Sequence, residues 1–181
     1  MKWGRKVKDP VLQAYLNENR DVQVGGKAKK GVRSKVCLMR RDNEKFILKF
    51  SAKSVKKYVN HIKQEIEVLE KCKEANIIGV SHIIKYFEIP NIGIFLEKEY
   101  IEKTHSFKDI QNNQESKEML LETINQIHQL GYAIKDIATQ NIRIKNKRPY
   151  IIDLGYCRKI TEQSDIDTDL EFFKSLFRLL K

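Results

Sequence analysis

The chain has 181 residues, with 35 Lys and Arg against 24 Asp and Glu, a formal net charge of +11. Its hydrophobic content of 41% excludes a disordered tail protein. A chain of this size buries roughly 70% of its unfolded surface and needs no disulfide or metal staple.

The predicted elements follow in chain order. Residues 22–50 read as strands broken by glycines, with Val36-Cys37-Leu38-Met39 a short apolar run, Arg41-Asp42-Asn43-Glu44 a turn, and Lys45-Phe46-Ile47-Leu48-Lys49-Phe50 the returning strand of a hairpin. Residues 54–73 read as a helix, because Val55, Tyr58, Val59, Ile62, Ile66 and Leu69 recur at helical spacing. Residues 83–87 and 92–96 are strands flanking Pro90-Asn91. Residues 116–130 form a second helix with Leu120, Ile124 and Ile127 on one face, and Gly131 is placed to end it. Residues 141–144 and 150–152 pair around Asn146-Lys147-Arg148-Pro149. A last helix is expected over residues 169–180, started by a capping box of Thr168 and Glu171 and striped by Leu170, Phe173, Leu176, Phe177 and Leu180. The fold class is therefore α+β and bilobal, an antiparallel sheet with one helix followed by a helical second lobe. The expected division is a lobe over residues 1–98, carrying a basic N-terminal extension, and a minimal second lobe over residues 99–181.

Charge is unevenly spread. Residues 1–60 hold 17 basic and 5 acidic residues (+12), residues 61–120 hold 8 and 11 (−3), and residues 121–181 hold 10 and 8 (+2). So basic a first third suits an anionic partner, whether nucleotide phosphate, nucleic acid or an anionic lipid surface. No apolar run reaches the ~18 residues of a membrane span, and residues 1–10 lack the apolar centre of a secretory signal. Cys37, Cys72 and Cys157 form no CxxC pair, which points to a reducing, cytoplasmic interior, with peripheral contact at an anionic membrane surface also compatible. The four histidines show no metal spacing, and His128 reads as a helix-end residue.

The sharpest chemical signal is Ala133-Ile134-Lys135-Asp136-Ile137-Ala138-Thr139-Gln140-Asn141 followed by Tyr150-Ile151-Ile152-Asp153-Leu154-Gly155. A hairpin that gathers two carboxylates and an amide oxygen suits hard-oxygen ligation of Mg²⁺. One carboxylate can then stay free to orient a hydroxyl nucleophile. Helical geometry also places Glu65 beside Tyr58, Ile62 and Leu69 at the edge of the buried stripe, while Glu67 points to solvent. A carboxylate on a core edge needs a cationic partner, and Lys49 is the natural one.

These stretches resemble the protein-kinase-like superfamily. The first is similar to its catalytic loop H-R-D-x-x-x-x-N and the second to D-F-G. Phe46-Ile47-Leu48-Lys49 resembles V-A-I-K, and Glu65 in Gln64-Glu65-Ile66 resembles the helix glutamate that holds that lysine. Leu96 to Glu102 resembles the hinge, whose backbone at Glu99, Tyr100 and Ile101 would bind adenine. Lys29 to Val36 resembles a weakened Gly-rich loop in which Gly31, Ser34 and Val36 would cover the phosphates, with Gly25-Gly26 in the same entry. The resemblance implies ATP and Mg²⁺ as cofactors, Asp136, Lys49 and Glu65 as catalytic residues, and Asn141 and Asp153 as metal ligands. It implies transfer of the γ-phosphate to a hydroxyl on protein, on the chain itself or on a sugar.

The departures are specific. Ile134 and Leu154 stand where the family has His and Phe, both able to fill an internal packing role. Ala138 stands where serine/threonine kinases carry a lysine, so that charge must come from elsewhere, with Lys29, Lys30, Lys35 and Arg158 as the available cations. Little chain separates Asp153 from the last helix, which resembles the central helix of the large lobe, with Asp167 or Asp169 as its anchoring acid. No A-P-E motif or docking helices follow, a layout similar to small atypical kinases such as RIO kinases and lipopolysaccharide-core heptose kinases. That layout favours self-phosphorylation or a small acceptor. The eroded loop and Ala138 also fit a pseudokinase nucleotide-binding scaffold, and the basic first third fits a RIO-like nucleic-acid-associated ATPase. The outer side of the last helix, around Phe172 and Leu179, is a candidate contact surface for oligomers.

Overall fold

The computed structural model describes residues 3–4, 7–25, 29–30 and 35–178, the side chains of Lys29, Lys30 and Arg178 excepted. Gly26, Gly31, Ser34, Leu179 and Leu180, named above, lie outside the described residues. The chain divides into two compact units. The first is Met1–Ile66 with Ile83–Tyr100, and the second is Glu67–His82 with Ile101–Lys181. The fold is α+β, and no described helix is long and apolar enough to cross a membrane.

The first unit is built on an antiparallel sheet of β1 (Val22–Val24), β3 (Lys35–Arg41), β4 (Glu44–Ala52), β6 (Gly93–Glu99) and β5 (Ile83–Ile89), in that spatial order, with β2 (Lys29–Lys30) added on β3. The β3–β4 turn is sharp because Asp42 and Asn43 adopt φ of 47° and 70°, the left-handed pair that matches strand twist. Strand alternation sends Phe46, Leu48 and Phe50 to one face, where they pack with Met39 and Phe95 under Leu12 and Tyr15. Those last two belong to α1 (Pro10–Glu18), a helix the sequence reading did not anticipate. Its start is nonetheless well specified. Asp9 accepts from Val11 N at 3.0 Å and Leu12 N at 3.1 Å, and Pro10 takes the first turn, where no N–H is needed.

The opposite face of the sheet meets α2 (Lys56–Glu74), through Ile62 and Ile66 against Ile94 and Leu96. The helix starts at Lys56, not Ser54, and Val55, expected in its buried stripe, precedes it and is 38% exposed. Its later turns, from Glu67, belong to the second unit.

In the second unit, α4 (Gln114–Gln129) packs against β7 (Tyr132–Ala133) and β9 (Arg148–Ile151). Leu120, Ile124 and Ile127 are fully buried on it, and Gly131 follows its end at φ 85°. A short α3 (Phe107–Ile110) precedes it, and β10 (Arg158–Lys159) pairs with β7. Strand β8 (Ile142–Lys145) pairs with β9 through an Asn146-Lys147 turn at φ 52° and 64°. Gly79 donates no side chain where α4 passes. A Cβ there would lie 1.9 Å from Thr123 Oγ1, while Gly79 O accepts from Ile151 N at 2.9 Å. The last helix, α5 (Gln163–Arg178), starts six residues before the expected Asp169. Thr168 does not cap it: its hydroxyl donates to Ser164 O at 2.7 Å inside the helix. Asp165 holds the start instead, accepting from Thr161 N at 3.0 Å and Glu162 N at 3.4 Å.

Candidate active site

In the first unit, Lys49 and Glu65 meet as the helical geometry requires. Lys49 Nζ donates to Glu65 Oε2 at 2.5 Å, with Lys49 5% and Glu65 0% exposed. Glu65 Oε1 accepts a second ammonium, that of Lys98, which is 3% exposed. Glu67 is exposed, as expected, and accepts from Tyr132 Oη at 2.5 Å within the second unit. Val36 stands opposite Lys49 in the β3–β4 register. Glu99 is exposed at the end of β6, Tyr100 follows with Lys45 Nζ 5.7 Å from its ring centre, and Ile101 is buried. Of the cations proposed to replace a lysine at Ala138, Lys35 is ion-paired with Asp9, and Arg158 lies exposed on β10.

Strand β6 also carries Glu97, which is fully buried on the α1 face. It accepts from Tyr15 Oη at 2.6 Å and from Arg41 at 3.0 and 3.2 Å, and Lys85 Nζ stands 3.2 Å away. Burial and the adjacent carboxylate raise the Tyr15 phenol far above its ordinary range. Sequence reasoning missed Lys98 and Glu97, although the alternation of Ile94 and Leu96 with Phe95 puts each of them on a covered face.

In the second unit, the loop that bears Asp136 is held from below. Asp169 Oδ2 accepts from Ile134 N at 2.6 Å and stands 2.9 Å from His128 Nε2, and Oδ1 accepts from Lys135 N at 2.8 Å. Of the two acids proposed as anchor, Asp169 is therefore the one. Asp167 is exposed and accepts from Gln163 at 3.0 Å. Lys135 has φ 63°, a conformation costly for a residue with a Cβ, and its ammonium pairs with Asp165 at 2.6 Å. That hydrogen bond, with those from Thr161 and Glu162, holds the Asp165 carboxyl well below the usual range. Ile134 and Leu154 are both buried.

Asn141 Nδ2 donates to Asp136 O at 3.0 Å and to Asp136 Oδ2 at 2.9 Å. The β8–β9 hairpin continues one step beyond its last strand pair, because Ile152 N donates to Asn141 O at 2.9 Å. Asn141 thus stands opposite Ile152, next to Asp153, whose Oδ1 accepts from Gly155 N at 3.0 Å. Asp136, Asn141 and Asp153 are all half-buried. Among the described residues no group of three or more His, Cys, Asp or Glu could hold a metal ion. Two carboxylates and one amide do not make a closed cage, but they fit Mg²⁺, which keeps waters and takes one or two carboxylates together with substrate phosphates.

A family model for the protein kinase domain matches residues 23–174, which include both motif stretches and the Lys49–Glu65 pair. No curated protein matches the chain. Protein kinase domains are phosphotransferases that generally use ATP and Mg²⁺, and by this match over most of its length the chain belongs to the protein kinase domain family.

Proposed function

We propose that the chain is an ATP- and Mg²⁺-dependent phosphotransferase that moves the γ-phosphate to an alcohol. The observation that carries this reading is the Asn141 amide bonded to the Asp136 carboxylate at 2.9 Å, at the open end of the hairpin that also bears Asp153. With its NH₂ committed to Asp136, the Asn141 amide keeps its oxygen as an acceptor. Asn141 and Asp153 are then the residues to hold Mg²⁺. When bound, the ion supplies charge neutralisation on the phosphates. Asp136 accepts the hydrogen bond of the acceptor hydroxyl and takes its proton as oxygen attacks the γ-phosphorus. The bond to the β-phosphate breaks and ADP leaves. Lys49, steadied by Glu65, holds the α/β-phosphates, and the backbone at Glu99, Tyr100 and Ile101 receives adenine. The acceptor class is a hydroxyl of a protein, of the chain itself or of a sugar.

Thermal melting with ATP tests the nucleotide half of this reading. ATP with Mg²⁺ raises the melting temperature of the wild type, and the shift disappears without the metal or with Asp153→Asn. A shift that persists unchanged in both cases points instead to a nucleotide-binding scaffold that uses no magnesium.

A further inference from the structure

The covered face of β6 ends on a lysine to which the reading above gives no role. Lys98 and Lys49 are both more than nine-tenths buried, and they bind the two oxygens of one carboxylate, that of Glu65. The register explains why they converge. Ile47 stands opposite Lys98 and Leu96 opposite Lys49, so both lysines lie on the α2 face as diagonal neighbours across one strand pair. A lysine at a strand end ordinarily runs its stem along the surface and keeps its ammonium in water. Lys98 instead holds stem and charge inside, one residue before the backbone assigned to adenine, Glu99 to Ile101. The loop bearing Asp136 is meanwhile poor in positive charge. Ala138, Thr139 and Gln140 are neutral, and Lys135 is committed to Asp165. Among the described residues, Lys49 and Lys98 are the buried cations.

We propose that Lys98 is a second polyphosphate-anchoring ammonium, held beside Lys49 by their common partner Glu65. It rests on the nucleotide-binding reading above, and it makes the site selective for a nucleoside di- or triphosphate over an uncharged nucleoside. Lys49 and Lys98 divide the phosphate oxygens between them, so that loss of either one weakens the anchor without abolishing it.

Calorimetric titration of Mg·ATP, Mg·ADP and adenosine into wild type, Lys98→Met, Lys49→Met and the double variant tests this. Methionine keeps the length of the stem and removes the charge. Lys98→Met should weaken both nucleotides about tenfold, the loss of one charge-assisted hydrogen bond, and leave adenosine unchanged. Lys49→Met should keep measurable Mg·ATP binding, and the double variant should lose about a further tenfold. Lys98→Arg should restore the wild-type affinity. Lys98→Gln, which keeps a hydrogen bond to Glu65, replaces Lys98→Met if the latter fails to fold by circular dichroism. Wild-type Mg·ATP affinity in the neutral variant, or equal losses for ATP and adenosine, overturns the proposal while leaving the nucleotide reading intact. A wild type that binds neither nucleotide overturns both.

Discussion

Replacing Asp169 with asparagine changes one oxygen for an NH₂ and nothing in shape. The carboxylate accepts from two backbone N–H groups, those of Ile134 and Lys135, and stands 2.9 Å from His128 Nε2. Either orientation of the amide turns its NH₂ toward a backbone donor. One charge-assisted bond is lost, and a buried N–H is left without a partner. Hydrogen bonds to charged groups contribute about 1.5–3 kcal/mol, and an orphaned buried donor costs about 1–3 kcal/mol. Because the two descriptions overlap, the expected loss is about 2–4 kcal/mol, a large share of the roughly 5–15 kcal/mol that holds a domain together. For a chain of this size that corresponds to a melting temperature lower by about 5–15 °C. The left-handed Lys135 is the residue this anchor holds in place, so phosphate transfer should fall along with stability. Urea unfolding followed by far-UV circular dichroism reads the first effect. A change below about 0.5 kcal/mol would refute the claim that Asp169 holds the loop.

Three other outcomes follow from the same structure. Tyr15→Phe removes the 2.6 Å bond to Glu97 but leaves that carboxylate with Arg41 and Lys85, so urea unfolding should report a loss of about 1–2 kcal/mol. Asp165 has its folded-state pKa depressed by Lys135 and the backbone of Thr161 and Glu162, so its stabilisation is present above the unfolded value of about 3.9 and lost as pH falls through the lower folded value. Asp165→Asn should therefore melt below the wild type at pH 7, and the gap should narrow in melts taken below pH ~4. Burial pushes the Cys37 and Cys72 thiols up to about 12, and Cys157 is only 1% exposed, so a disulfide reagent at pH 8 should find all three unreactive until urea is added.

The elements that could be read from the sequence are those whose causes are local. Asp42-Asn43 and Asn146 mark their turns because Asp and Asn tolerate left-handed φ, and the stripe of Ile62, Ile66 and Leu69 marks α2. Helix α1 had its signal in Asp9-Pro10, but the surrounding basic charge hid a face on which only Leu12 and Tyr15 are buried. The start of α5 was misplaced because Thr168 and Glu171 have the spacing of a capping box, while Asp165 makes the actual bonds. Lys98 and Glu97 were missed for a different reason. The alternation of Ile94, Phe95 and Leu96 marks both faces of the strand as covered, but the partners that make a buried charge tenable there come from α2 and α1, distant in sequence.

The most direct measurement of the central claim is transfer of labelled γ-phosphate from Mg·ATP, with the protein alone and with cell fractions, by wild type and by Asp136→Ala. The account predicts a labelled product from the wild type and a rate lower by about 10²–10⁴ in the variant, which has no group to take the hydroxyl proton. Equal transfer by the two proteins, or none by the wild type with any fraction, would contradict it.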